Sequence, residues 1–180
     1  MKPKDCTLFS GGTKGAEAEF GLQAERVGME EVNFTFEGHQ IKRKRGLRFL
    51  TQKELVQGDV SLSYISKIMN RPYKGPKIKK VLQSIWHQIN NAEEVFVVGM
   101  ILEDGTVKGG TGWGAEFAKL CNKPLYIFDQ NKNQWFKWSQ TKWEKTSPKI
   151  HKKLIAGSGT RLLNANGKRA IGDLFQHSFK

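Results

Sequence analysis

Three times in this chain of 180 residues an apolar run breaks into glycines and resumes as a helix-forming segment. Ser10-Gly11-Gly12-Thr13-Lys14-Gly15-Ala16-Glu17 follows the run Cys6 to Phe9. Gly109-Gly110-Thr111-Gly112-Trp113-Gly114-Ala115-Glu116 comes a short loop after Val95 to Leu102. Gly157-Ser158-Gly159-Thr160-Arg161 follows Lys153 to Ala156. A strand that ends in glycines and feeds a helix aims backbone N–H groups, and the positive end of the helix dipole, at one point that suits a phosphate. Strand followed by helix, repeated, requires a parallel sheet covered on both faces. Ligands of such sheets sit at the carboxyl ends of the strands, where strand order reverses.

The remaining segments fit that frame. Asp5 to Ser10 reads as a short buried strand. Thr13 to Val27 reads as a helix stopped by Gly28, with Ala16, Phe20, Ala24 and Val27 at core spacing. Val32, Phe34 and Phe36 alternate within a second strand over Glu31 to Glu37, and the basic stretch after His39 reads as a loop or strand extension. Thr51-Gln52-Lys53-Glu54 fits a capping box. Leu62 to Met69 suggests a helix, and Pro76 opens another through Asn91 with Ile78, Val81, Leu82, Ile85, Trp86 and Ile89 on one stripe. Glu94 to Leu102 and Lys123 to Asp129 read as buried strands around a helix from Gly112 to Asn122. Gln134 to Ser139 alternates as an aromatic edge hairpin with Lys142 to Lys145. Lys153 to Ala156 is a last strand, and Asn164 to Gln176 a closing helix. The expected architecture is α/β: a Rossmann-like three-layer sandwich with a mainly parallel sheet and a small aromatic edge hairpin, formed as a single domain over residues 1–180.

Composition narrows the function classes. No run approaches the ~18 apolar residues of a membrane span, and the first residues lack the apolar core of a signal peptide. Cys6 and Cys121 are the only cysteines, too few for a disulfide framework. These features set the expectation of a cytoplasmic protein with no membrane partner. The formal net charge is +13. Lys42-Arg43-Lys44-Arg45, Lys74 to Lys80 and Lys149 to Lys153 hold much of it. Such a field attracts nucleotides, nucleic acid or acidic proteins, although any one run alone also describes a solvated surface.

Each of the first two turns carries a carboxylate. Glu116 is placed by the pattern on the first turn of its helix, where it either complements the helix dipole or serves a ribose as hydrogen-bond acceptor, base or nucleophile. Glu17 has the matching place after the first turn, with the same two readings. Trp113 either stacks on a base or packs on the neighbouring strand. His39, His87, His151 and His177 are scattered without ligand spacing, so no metal site and no cofactor are expected. The P-loop pattern and the serine-hydrolase elbow are absent.

The first turn, with Ser10-Gly11-Gly12 and Gly15-Ala16-Glu17, resembles the first loop of the SLOG superfamily, which includes DNA processing protein A and the Lonely Guy phosphoribohydrolases. Gly109-Gly110-Thr111-Gly112 with Glu116 is similar to the superfamily's second signature, and the resemblance spans residues 5 to 130. Trp113 stands where the phosphoribohydrolases have threonine, and Lys108 where the signature has proline. The resemblance implies a Rossmann-like domain holding a nucleotide or nucleotide-derived ligand at Ser10, Gly11, Gly12, Gly15, Glu17, Gly109, Gly110, Thr111, Gly112 and Trp113. Gly157, Gly159, Thr160 and Arg161 would add a third anion-binding turn. In hydrolytic members the glutamate matching Glu116 cleaves the N-glycosidic bond, and an arginine assists. No motif places that arginine here, and Arg71 and Arg161 are candidates by position. Family members commonly form homodimers.

Three functions follow as expectations: a nucleotide N-glycosidase using Glu116, a non-catalytic sensor or sequestering protein for a nucleotide signal, and a binder of single-stranded nucleic acid. The third would use Trp135, Phe136, Trp138 and Trp143 among lysines.

Overall fold

The computed structural model describes residues 1–180. The apolar runs become eight strands of one sheet: β1 (Thr7–Ser10), β2 (Glu30–Thr35), β3 (Leu47–Phe49), β4 (Glu94–Gly99), β5 (Leu125–Asp129), β6 (Gln134–Trp138), β7 (Trp143–Lys145) and β8 (Leu154–Gly159). Their order across the sheet is β3-β2-β1-β8-β4-β5-β6-β7. The pairs from β3 to β5 are all parallel, and β6 and β7 continue antiparallel as the aromatic hairpin, with Trp138 opposite Trp143. The α/β, mainly parallel architecture read from the strand–turn–helix repeats is the one the chain adopts.

Helices cover both faces. α1 (Ala16–Val27) and α6 (Ala165–Ser178) lie on one, α3 (Asp59–Ile68), α4 (Pro76–Asn91) and α5 (Thr111–Leu120) on the other, and α2 (Gln52–Leu55) is a single turn. The two-residue period of β4 divides its side chains accordingly. Phe96 and Val98 pack with Phe20, Ala24, Ile171 and Phe175, while Val95 and Val97 pack with Ile85, Ile89, Phe117 and Ala118. Local chemistry sets the helix ends. Gly28 closes α1 in the left-handed region, at φ 77°. Thr51 and Glu54 form the reciprocal capping box, and Asn164 accepts the Gly167 N–H at 2.8 Å to open α6. Lys123 Nζ donates to the carbonyls of Ile89 and Asn90, at 2.7 and 2.8 Å, at the end of α4.

The chain leaves β1 through α1 toward β2 on one side, and leaves β4 through α5 toward β5 on the other. Strand order therefore reverses between β1 and β4, and β8 fills the slot between them. This central position of β8 puts all three glycine segments beside one another at the carboxyl edge.

The structure corrects three local readings. Gly157, Ser158 and Gly159 are not a turn but the last residues of β8, hydrogen-bonded in register with Phe96 to Val98. They are small because α1 lies against them: a methyl group on Gly157 would stand 2.6 Å from Cγ of Phe20. The strand expected over Glu94 to Leu102 stops at Gly99, because the chain then folds into a small hairpin joined by the Ile101–Val107 bridge. The helix after the second turn begins at Thr111, so Glu116 is its sixth residue and lies beyond the first turn.

Candidate functional site

A cavity of about 600 Å³ opens at the carboxyl edge, where strand order reverses. Thr13 and Glu17 line it from the first glycine segment, Gly99 and Met100 from the end of β4, Lys108 to Thr111 from the second segment, and Ser158 to Leu162 from the third. Ile78, Val81, Ser84, Ile85 and Gln88 of α4 form one wall, and His39, Gln130 and Asn131 complete it. The volume suits a nucleotide-sized molecule.

The loops are held in place by one another. The Ala16 N–H donates to the Thr160 carbonyl at 2.9 Å, and the Thr160 N–H to Val98 at 2.8 Å. Gln130 clasps the 160–164 turn, donating to the Leu162 carbonyl and accepting the Asn164 N–H. Arg71 braces the hairpin that leads into the second segment, donating to the Val107 carbonyl at 2.7 Å and to Thr106 Oγ1 at 2.5 Å.

The three segments differ in what they offer an anion. In the first, Glu17 Oε2 itself accepts the Thr13 N–H at 3.0 Å and Thr13 Oγ1 at 2.5 Å. The carboxylate fills the cradle that an external phosphate would need. In the second, the N–H groups of Gly109, Gly110 and Thr111 have no backbone acceptor, since the intrahelical bonds begin with the N–H of Gly112 and Trp113. They stand at the N-terminus of the ten-residue α5 beside the exposed Lys108. A methyl group on Gly110 would meet nothing within 4 Å, so this surface is open. From the third segment comes Arg161, exposed at the rim. Neither Lys108 nor Arg161 is engaged in a salt bridge.

Burial and charge tune the interior. Glu17 is 4 % exposed, and burial raises its carboxyl above the usual range, against hydrogen bonds from Thr13 and Ser158 and the charge of Arg161. His39 is pushed down to about 4 by burial and by the charges of Arg161 and Lys77, so its ring is neutral at pH 7. Its Nδ1 lies 3.1 Å from Thr35 Oγ1, and its Nε2 is buried without a partner. Gln88, 1 % exposed, likewise has a buried Oε1 with no partner.

Not every expected residue reaches the cavity. Glu17, Gly109, Gly110, Thr111, Gly159, Thr160 and Arg161 line it. Ser10 is turned into the sheet, its hydroxyl donating to the Gly157 carbonyl at 2.7 Å. Gly11, Gly12 and Gly15 lie behind Glu17 and under neighbouring backbone: the Gly12 carbonyl accepts from Lys42 and Arg43 N–H, and a methyl on Gly15 would meet Arg161 Cα at 2.7 Å. Gly112 and Gly157 serve close packing of α5 and α1. Trp113 is in the core, edge-on to Tyr73, rather than free to stack on a ligand. Arg71 works one layer back, as a brace. Glu116 faces away from the cavity and pairs with Lys119 at 2.7 Å, and Lys119 Nζ lies 3.9 Å from the centre of the Trp138 ring.

The sequence reading passed over Gln88, His39 and Ser158 as site residues. Gln88 carried a usable signal, a polar residue in line with Ile78, Val81 and Ile85 on the inward stripe of α4. The aromatic hairpin is packed rather than splayed. Trp135 is edge-on to Phe96 and Phe128, Phe136 is buried, and Trp143 Nε1 donates to the Gly105 carbonyl at 2.8 Å. Arg43, in the first basic run, is taken up by Glu31 and Glu25. No three His, Cys, Asp or Glu side chains converge as a metal site, and no helix is long and apolar enough to cross a membrane.

Fold and site together define a Rossmann-like α/β protein with a ligand-sized cavity at its topological switch point. A solved structure that resembles it is the 1.45 Å crystal structure of a proposed molybdenum carrier protein from Syntrophus aciditrophicus. The two share a TM-score of 0.58 over 98% of this chain and 96% of that one, at 14% identity. That likeness establishes the fold. No family model matches the chain, and no curated protein does.

Proposed function

We propose that this protein binds a nucleotide or nucleotide-derived molecule in the switch-point cavity and releases it intact. One observation carries the reading: Gly109, Gly110 and Thr111, whose N–H groups have no backbone acceptor, line the same cavity as Lys108 and Arg161. Backbone donors at a helix N-terminus favour an anion, and two cations outside any salt bridge add to that field. The phosphate sits there, and the rest of the ligand extends along the α4 wall toward Gln88. The SLOG resemblance of the glycine segments supports the same ligand class.

The placement of Glu116 favours binding over hydrolysis. The residue that the superfamily resemblance makes catalytic is tied to Lys119 outside the cavity. The carboxylate that does line the cavity, Glu17, is occupied by Thr13.

A bare oxyanion is the second reading. The Syntrophus aciditrophicus protein is named for molybdenum, and molybdate shares the tetrahedral dianion chemistry of phosphate. The free amides suit either anion, but a cavity of about 600 Å³ with an apolar wall is far larger than one oxyanion requires.

Calorimetric titration with purine and pyrimidine nucleoside 5′-monophosphates, ribose 5-phosphate and molybdate, followed by chromatography of the recovered ligand, tests this. Saturable binding of a nucleotide recovered whole is the expected result. No heat and no thermal stabilisation with any nucleotide would overturn the reading, and release of free base would overturn its non-hydrolytic half.

A further inference from the structure

Gln88 brings a buried amide with an unpartnered oxygen to the wall of the cavity. Gln88 lies on the stripe Ile78–Val81–Ile85–Gln88 of α4, whose steps of three and four residues keep one face toward the cavity. Three apolar side chains lead inward from the mouth, where Ile78 is half-exposed, to one polar side chain that is buried. Such a wall suits the face of a planar ring, with the amide meeting the ring's edge.

The amide is not satisfied. Gln88 Nε2 and the Glu17 carboxylate converge over the bare Cα of Gly11: a methyl group there would lie 2.6 Å from Nε2 and 2.9 Å from Glu17 Oε2. Oε1 has no partner. Exchanging the amide's two ends would orphan an N–H in place of the carbonyl, so the vacancy persists in either orientation. A buried polar atom without a partner is costly, and native proteins carry few of them. A phosphate is a poor occupant here, because it would face the Glu17 carboxylate. A neutral group with a donor beside an acceptor meets both side chains, its acceptor on Gln88 Nε2 and its donor on the Glu17 carboxylate.

We propose that Gln88, with Glu17 beside it, forms a subsite for the edge of a nitrogen heterocycle that carries an N–H donor next to an acceptor, so that the ligand enters base first and leaves its phosphate at Gly109 to Thr111. This rests on the nucleotide reading above and assigns what that reading leaves open, the direction of the ligand and the residue that discriminates a base from a sugar phosphate. Gln88 is a specificity residue with no role in bond cleavage.

The test compares wild type and Gln88→Met by calorimetry against inosine 5′-monophosphate, its N1-methyl derivative and ribose 5-phosphate. Methionine keeps the length of the side chain and removes both polar atoms. Wild type binds inosine 5′-monophosphate at least tenfold more tightly than either of the other two. Gln88→Met loses that advantage, leaves ribose 5-phosphate unchanged and melts at the same temperature or higher, because an orphaned polar atom has been removed. A glutamine with only a structural role would instead lower the melting temperature and leave the ligand ranking intact, overturning the proposal. Equal binding of all three by wild type would overturn it while sparing the nucleotide reading. No binding of any phosphorylated compound would overturn both. If Gln88→Met fails to fold, Gly11→Ala displaces the Gln88 amide by its methyl group and is read on the same three ligands, with the same expected loss.

Discussion

Glu17 Oε2 accepts both the N–H and the hydroxyl of Thr13, at 3.0 and 2.5 Å. The first glycine turn is therefore closed by its own carboxylate, whereas the amides that open the second turn have no backbone acceptor. Replacing Glu17 with Gln keeps the shape but weakens the acceptor and can turn a donor toward Thr13. A loss of about 1–2 kcal/mol is expected at pH 7, offset in part because a buried charge is removed. Urea denaturation measures it, and an unchanged midpoint would show that Thr13 does not depend on the carboxylate.

Glu116 gives the sharpest contrast with the hydrolytic expectation. Glu116→Gln weakens the bond to Lys119 and costs about 1 kcal/mol of stability, yet leaves nucleotide affinity unchanged because the side chain lies outside the cavity. Parallel melting and binding curves check both halves. A tenfold loss of affinity would place Glu116 in the site.

Arg71 braces the loop that leads to the proposed phosphate site. Its guanidinium reaches the Val107 carbonyl and Thr106 Oγ1 with two separate nitrogens. Lysine cannot reproduce that fork, so Arg71→Lys and Arg71→Ala are both expected to lose about 1–2 kcal/mol and to weaken binding several-fold. Full rescue by lysine in a binding titration would contradict the bracing role.

His39 makes stability depend on pH in a defined direction. Its value falls from 6.5 to about 4 on folding, so as pH drops the unfolded chain takes up the proton first. Stability from the neutral ring is present above pH 6.5 and is lost as pH falls toward 4. Because the ring is only partly buried, the loss is about 1 kcal/mol after allowance for solvent. Glu17, raised by burial, shifts stability the opposite way. The difference between wild type and His39→Gln isolates the histidine: the gap in denaturation free energy should narrow from pH 7 to pH 4. A constant gap would show that the ring titrates alike in both states.

Much of the fold was legible because its signals are local. Pro76 opens α4 and Asn91 ends it as the apolar stripe indicates, and the Thr51–Glu54 box forms as read. Long-range facts were less accessible. Lys153 to Ala156 looks like a short strand because Gly157-Ser158-Gly159 has turn composition. Only the pairing with Phe96 to Val98 and the pressure of Phe20 on Gly157 explain why glycines there are extended. The site divided in the same way. The convergence of three strand ends was foreseeable from a parallel sheet. The capture of Thr13 by Glu17 and the orphaned Gln88 depend on side-chain geometry that spacing does not encode. The sequence placed the start of α5 within one residue, Gly112 against Thr111, but did not show that the Glu116 side chain pairs with Lys119.

The open amides at the start of α5 are the proposed seat of the ligand's phosphate. Gly110 is the place to test it, because a side chain there meets open space and its φ of −60° accepts any residue. Gly110→Asp puts a carboxylate beside those amides, in the favourable field of the helix N-terminus. Titration of nucleoside 5′-monophosphates into this variant, beside its melting curve, is the most direct measurement. An unchanged or higher melting temperature with nucleotide binding abolished is the expected result, and a well-folded variant that binds as wild type does would overturn the placement of the phosphate at these amides.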